Sequence, residues 1–388
     1  MQRLVTKYAE KLVRHGLCAP GTPIVGGLND TLTWNRQAPE TAALEKVING
    51  LNINSLLFAK PTEPFMRILD FHAARCDSEF VPEDTETRTF LHSIPVCAEL
   101  DHEVIVPLLK KRKGVVVAGK GIMTFGTVSP EQGFVVFSSI IFSAFVKFFV
   151  DYAYLKIKRQ TDPEMEALFP VVWEAYRQFL PEQIPSHLTA EVLDSEAKII
   201  NAMKPAGQAT VDARMVDSFF GNISFRHQDT IYISQTGSSL DELDGCIDAC
   251  PMDGSTSTGI TASSELVAHR NIYLGNPVHS ILHGHPKFSV IMSMICDKRE
   301  CEFRGKCHVK CVEQRFIGDI PIVPGEVGTG PRGLCRTLPP AMEGKRGVVV
   351  FGHGVFTVGK ESFVDAFDAL VDIERMCMEN YWELVSGG

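Results

Sequence analysis

KRKGVVVAGKGIMTFG, residues 111–126, recurs at 344–359 as GKRGVVVFGHGVFTVG, with the glycines and the valine triplet aligned without a gap. Each copy reads as a strand, a glycine turn and a second strand. The repetition extends outward. NINSLLFAKP (52–61) lies over PVHSILHGHP (277–286) at an offset of 225, which also sets Glu40 on Glu265. FLHSIPV (90–96) lies over FIGDIPI (316–322) at 226, and the two glycine turns are 233 apart. Four blocks in one order, with an offset that drifts so little, define an internal duplication. FLPEQIPSH (179–187), with two prolines, reads as the linker between a domain at 1–182 and a second at 188–388. Helical patterns flank it at 163–178 and 189–204. Each copy reads as an opening helix, short strands with glycine turns, a helix leading into an apolar strand, and a closing helix. That pattern is a mixed α/β domain around one sheet.

The whole chain fits this two-domain reading. Its 388 residues suit about two domains, and 45% hydrophobic with 22% charged residues is ordinary globular composition. A net charge of −9 argues against a nucleic-acid partner, which needs a basic face. The N-terminal MQRLVTKYAEKLVRHGL is a charged amphipathic helix rather than a signal peptide. The most apolar stretch, FVVFSSIIFSAFVKFFV (134–150), is interrupted at Lys147, short of the roughly 20 residues that span a bilayer, so it reads as a buried helix. Eleven cysteines scattered over the chain suit a reduced, cytoplasmic setting. Four of them, Cys296, Cys301, Cys307 and Cys311, fall within CDKRECEFRGKCHVKC. Their spacing contains no CxxC pair, which leaves open both a loop of free thiols and a second metal site.

The chemistry concentrates in the second half. In SILHGHP, His283 and His285 stand two apart on an expected strand, so both imidazoles leave one face. FGHGVF supplies His353 between two glycines that leave room and bend the chain. Three histidines with an open fourth position make a catalytic zinc arrangement. In the first half the same positions are Phe58, Lys60 and Lys120, so the three histidines are absent together. Glu265 follows Ser263 and Ser264 at an expected helix start, where it can be a cap or part of an anion site. Gly221-Asn222 and Thr236-Gly237 offer backbone N–H groups and short polar side chains in turns, the elements of a phosphate nest.

GNIS, TG, SSEL, HxHP, GDIPIVP and GHGVFTVGK, taken together over residues ~190–388, resemble the class II aldolase/adducin family. The resemblance implies two tandem three-layer α/β/α domains, each around a mostly antiparallel central sheet. It implies phosphate binding by Gly221, Asn222, Thr236, Gly237, Ser263 and Ser264, with Glu265 as acid/base. It also implies a Zn2+ or other divalent ion on His283, His285 and His353. The function implied is a zinc-dependent lyase of aldolase type. It would act on a small phosphorylated sugar or hydroxy-carbonyl substrate through a metal-stabilised enediolate. Decarboxylation, dehydration or epimerisation on the same fold stays open, as does an adducin-like interaction protein without catalysis. The first half resembles the fold with its ligands lost. Two departures stand out: no tyrosine lies between His285 and His353, where the family has its protonating residue, and Ala262 replaces the usual proline before the serines. Because family enzymes are typically tetramers, the resemblance also implies a homo-oligomer, at least a dimer of two-domain chains. The helix at 134–150 is expected to be buried between domains or chains.

Overall fold

In the computed structural model, which describes all residues except 183, 185–187, 218, 256, 299, 326–329 and 388, the chain forms two compact units. The first comprises Met1–Phe148 and Asp162–Phe179, the second Phe149–Thr161 and Leu180–Gly388. The expected linker at 179–187 lies partly outside the described residues.

The first unit is built on seven strands: β1 (Ile24–Leu28), β2 (Leu32–Trp34), β3 (Ser55–Ala59), β4 (Glu79–Phe80), β5 (Ile94–Cys97), β6 (Gly114–Val117) and β7 (Gly121–Gly126). The second has eight: β8 (Asn222–His227), β9 (Thr230–Ser234), β10 (Ile247–Pro251), β11 (Ser280–Gly284), β12 (Arg315–Ile317), β13 (Ile320–Val323), β14 (Gly347–Val350) and β15 (Gly354–Gly359). The orders are β2-β1-β3-β7-β6-β5-β4 and β10-β9-β8-β11-β15-β14-β13-β12, the same sequence of pairings with β10 added at one edge. All pairs are antiparallel except β5–β6 and β13–β14. Registers repeat too: Ser55 faces Gly126 as Ser280 faces Gly359, and Gly114 faces Thr124 as Gly347 faces Thr357.

Helices cover both faces of each sheet. In the second unit Ala268, Ile272, Leu334, Leu338 and Met342 pack with Ile233, Ile281, Val348 and Phe356 on one face. On the other face the helix Phe363–Ser386 crosses so closely that a Cβ on Gly347 would meet Ile373. The first unit repeats that crossing with Gly114 and Ile140, again 233 residues earlier. Its opposite face buries Leu44, Val47, Ile105 and Leu109 against Leu56, Val115 and Met123. With both faces covered, the central strands read as continuous apolar runs rather than alternating ones.

Two expectations change in detail. The apolar stretch at 134–150 lies inside a 29-residue helix, Pro130–Lys158, which is long and apolar enough to cross a membrane. Its most apolar window is 89% buried within the chain, so it is a core helix and makes no demand for a second chain. The pattern read as a helix from 189 starts at Glu196, with Ser195 extended before it, as a residue favoured at helix N-caps allows.

Candidate functional site

The three histidines converge from two connections of the second sheet. His283 lies on β11, paired with Asn222 of β8 and Phe356 of β15. His285 is one residue beyond the end of β11, not on the strand as the alternation suggested, and leads through Pro286 into the helix Lys287–Met294. His353 sits in the β14–β15 turn after Gly352, whose φ of +60° favours glycine. All three rings are buried, and their ligand-capable nitrogens lie within 4.8 Å of one another. His285 Nε2 is 3.0 Å from His283 Nε2. Two nitrogens on one tetrahedral zinc stand about 3.3 Å apart, so the pair is spaced for a shared cation. His283 Nδ1 lies 3.0 Å from the Val355 carbonyl, to which it donates, and this turns Nε2 toward the cluster as an acceptor. Phe356 stacks on His283 at 3.9 Å between ring centres, and Phe220 stacks on His285 at 5.6 Å. Gly354 completes the cradle: a Cβ there would fall 2.4 Å from the Gly284 carbonyl, 2.8 Å from His283 and 3.0 Å from His285.

Glu265 occupies the N-cap position of the helix Leu266–Gly275, but its side chain makes no capping bond. The carboxylate turns to the histidines instead. Oε1 is 3.2 Å from His353 Nε2, and Oε2 is 3.6 Å from His283 Nε2. Asn222 Nδ2 donates to Oε2 at 2.6 Å. Burial pushes this carboxyl up, and His283 and His353 more than offset that, holding it well below the usual carboxylate range. For His285, burial and then the neighbouring His283 and His353 hold the imidazole well below its ordinary value, keeping it neutral and its lone pair available. The donor set therefore fits a divalent ion: three buried imidazoles, one of them held neutral, beside an ionised carboxylate.

The polar turns come together beside this cluster. An isolated bridge joins Gln235 to Ala262, and the Thr236 N–H donates to the Thr261 carbonyl. Thr236 Oγ1 accepts from the Ser264 N–H at 3.1 Å, and Ser263 Oγ accepts from the Glu265 N–H at 3.3 Å. Thr236, Gly237 and Ser264 are exposed, while Ser263 is buried. Gly237 has φ +68° with open space around it. Gly221, at φ +85°, packs on the His283 carbonyl, where a Cβ would be 2.3 Å away. Asn222 thus belongs with Glu265 rather than with the exposed turns, a role its sequence position did not signal.

Other residues here escaped sequence reasoning. His269, one helical turn after Glu265, is fully buried with Nδ1 2.7 Å from Ser224 Oγ, which lies 2.7 Å from Tyr273 Oη. Burial lowers His269 to about 3, so it is neutral structure behind the site. Glu374 accepts from the N–H groups of Phe288 and Ser289 at 2.8 and 2.7 Å, anchoring the helix that follows His285. Lys287 pairs with Asp217 at 3.6 Å, both buried or nearly so. None of these stands in a recognisable spacing, because each acts across the fold.

The corresponding place in the first unit holds no such cluster among the described residues. Phe58 is packed in the core, Lys60 is exposed, and Lys120 pairs with Glu99 at 2.7 Å.

Comparison with known proteins adds a family to this geometry. Residues 201–381 match the Class II Aldolase and Adducin N-terminal domain. A protein described as L-fuculose phosphate aldolase, from Methanococcus maripaludis, is 27% identical over 174 residues, covering 44% of this chain and 89% of that protein. Among solved structures, L-fuculose-1-phosphate aldolase from Thermus thermophilus is 22% identical, covers 50% of this chain and 98% of that one, and superposes with a TM-score of 0.40. A sugar-phosphate aldolase from Thermotoga maritima is 19% identical, covering 50% and 97%, with a TM-score of 0.37.

Proposed function

We propose, for a chain whose residues 201–381 match the class II aldolase and adducin N-terminal domain, a divalent-metal-dependent carbon–carbon lyase acting on a small phosphorylated sugar or hydroxy-carbonyl compound. The observation that carries this reading is the buried His283–His285–His353 cluster with the Glu265 carboxylate at 3.2 and 3.6 Å from two of its nitrogens. His283, His285 and His353 would hold the ion, zinc being the natural choice for three imidazoles. When bound, such an ion supplies Lewis-acid stabilisation of the negative charge that carbon–carbon cleavage leaves on a substrate carbonyl oxygen.

The chain's own residues supply the rest. Glu265 is held ionised, with Oε2 fixed by Asn222 and Oε1 beside His353 Nε2, so its carboxylate is the group that would take or return the proton at the cluster. Val355 and Phe356 keep the His283 ring at a single orientation, which is the requirement on a ligand that must not swing during turnover. The phosphate would sit at the turns of Thr236, Gly237, Ser263 and Ser264, with Gly221 and Asn222 joining them to the acid. The N–H groups of Thr236, Ser263, Ser264 and Glu265 already donate within these turns, so the exposed hydroxyls of Thr236 and Ser264 and the open Gly237 turn would make the anion contacts. The lack of a tyrosine between His285 and His353 favours a reaction in which the released carbanion needs no dedicated phenol donor, so hydroxy acids belong in the substrate set beside ketose phosphates.

The test is the full chain and its His283→Ala variant, assayed for bound metal by elemental analysis and for cleavage of a panel of ketose phosphates and hydroxy acids. The expected result is loss of one bound ion and of activity with the fold retained by circular dichroism. A variant that keeps its full metal content would overturn the ligand assignment. A wild-type chain without metal-dependent turnover on either class would leave the adducin-like, non-catalytic alternative.

A further inference from the structure

Between the helix Lys287–Met294 and β12 the second half carries twenty residues, 295–314, where the first half connects Arg75 to Glu79 with three. Connections this long with little regular structure are uncommon in compact domains. Among the described residues its regular structure is the single turn Cys307–Lys310. Beyond Ile295 at its start, its apolar side chains contribute little to a core, for Phe303 is 37% and Val312 81% exposed. A segment so poor in apolar burial needs another kind of cross-link to hold one conformation.

The segment does contain four thiols, Cys296, Cys301, Cys307 and Cys311, all free and all partly buried. They line one cavity of about 690 Å³. Burial raises the Cys307 thiol, Arg315 works against that, and Cys311, Cys296 and Cys301 add to the rise; Arg315 lines the same cavity. The frame around them is pinned. The Arg304 guanidinium stacks 4.2 Å over Tyr154, whose hydroxyl donates to the Met294 carbonyl at 2.8 Å, and Arg315 donates to the Ser293 carbonyl at 2.7 Å. His308 stacks on Phe351 at 6.3 Å, two residues before His353.

We propose that Cys296, Cys301, Cys307 and Cys311 bind one soft divalent cation of the zinc class, a structural site separate from the histidine cluster. Four thiolates match a closed tetrahedral zinc shell, and each thiol releases its proton to solvent on binding. The doubly negative centre that results would sit in a segment whose basic residues, Lys298, Arg299, Arg304, Lys306 and Lys310, exceed its acids, Asp297, Glu300, Glu302 and Glu313, by one. Lys298 is paired to Glu313, and Arg315 lines the same cavity. The sulfurs are not yet gathered as the histidines are, since only the triad brings three ligand atoms within 4.8 Å among the described residues. Closing to the roughly 3.8 Å sulfur spacing of a tetrahedral zinc takes movement in a segment that has little core to resist it. The contact of His308 with Phe351 then ties this staple to the turn that presents His353.

The test uses the full chain purified under reducing conditions without chelator, its His283→Ala variant and a Cys307→Ser/Cys311→Ser variant. Zinc per chain is measured by elemental analysis, and the cobalt-substituted proteins are examined for thiolate-to-cobalt charge-transfer absorption, which imidazole ligands do not give. Expected are two ions in the wild type and one in each variant, with the thiolate band kept in His283→Ala and lost from the cysteine variant. Absence of the band from both wild type and His283→Ala overturns the proposal, whether or not the cysteine variant folds. So does a cysteine variant with wild-type metal content, or a disulfide among the four in the isolated chain. If His283→Ala keeps both ions and the thiolate band disappears with the cysteines, this site stands and the histidine assignment fails.

Discussion

Substituting Gly354 by alanine tests whether the histidines depend on the space between β11 and β15. The added Cβ would lie 2.4 Å from the Gly284 carbonyl, 2.8 Å from His283 Cε1 and 3.0 Å from His285 Cδ2. The carbonyl belongs to a paired strand and cannot yield far, so the rings must separate by several tenths of an ångström. Overpacking of this kind costs about 1–3 kcal/mol of stability. Metal ligands tolerate about 0.2 Å, and disturbing their support typically lowers affinity 10–100-fold, or about 1.4–2.8 kcal/mol. The duplication provides the control. Gly121 holds the same position in the first sheet, where a Cβ would meet the Ala59 carbonyl at 2.3 Å with no histidine beside it, and its φ of +148° adds backbone strain. Gly121→Ala should therefore destabilise at least as much as Gly354→Ala yet leave metal affinity and turnover unchanged. Thermal unfolding reads the first quantity, and zinc competition against a chromogenic chelator reads the second. Wild-type zinc affinity in Gly354→Ala, alongside the expected loss of stability, would refute the reasoning.

Glu265→Gln is expected to keep the bound ion and lose at least ~10²-fold in turnover, the usual scale for a general acid/base; an unchanged rate would reduce Glu265 to a helix-start residue. His72 predicts a pH dependence in the first unit. Burial, against a hydrogen bond to the Ala144 carbonyl, lowers it to about 4, so between pH ~6.5 and ~4 the unfolded chain binds a proton that the folded chain excludes. The stabilisation is complete above ~6.5 and is lost as pH falls through ~4, up to about 3 kcal/mol. The stability difference between wild type and His72→Gln, from urea titrations at several pH values, should shrink across that window, and a flat difference would contradict it. The resemblance to tetrameric enzymes predicts at least a homodimer by light scattering; a stable monomer of 42.9 kDa would refute this.

Much of this organisation was legible because the duplication acts as an alignment inside one chain. The repeated strand–turn–strand blocks carry the sheet register with them, and the joint replacement of three histidines by Phe58, Lys60 and Lys120 singles them out as a set. What escaped notice depends on contacts between distant segments. Alternation predicts one face for His283 and His285, but the strand ends at Gly284, and the helix that follows, capped by Glu374, orients His285. Composition cannot tell whether Glu265 caps its helix or faces the histidines, since the choice rests on Asn222 across the sheet. The full length of the helix Pro130–Lys158 was hidden because a lysine at 147 interrupts the apolar run without interrupting the helix, and pairs with Glu83 at 2.6 Å.

The matching registers of the two sheets carry a hazard during folding. A chain that contains the same pairing instructions twice can pair β3 with β15, or β11 with β7, and still satisfy the backbone ladders. Such intramolecular swaps are the characteristic misfolds of tandem repeats. The residues that differ between the copies then act as discriminators. Phe58 is buried in its own apolar cluster, whereas His283 is seated against Phe356 and the Val355 carbonyl. Exchanging their partners would set the Phe58 ring among the other histidines and Glu265, and the His283 imidazole into the apolar cluster that now holds Phe58, away from those polar neighbours. On this account the divergence that removed the ligands from one copy also tells the two strands apart as the chain folds.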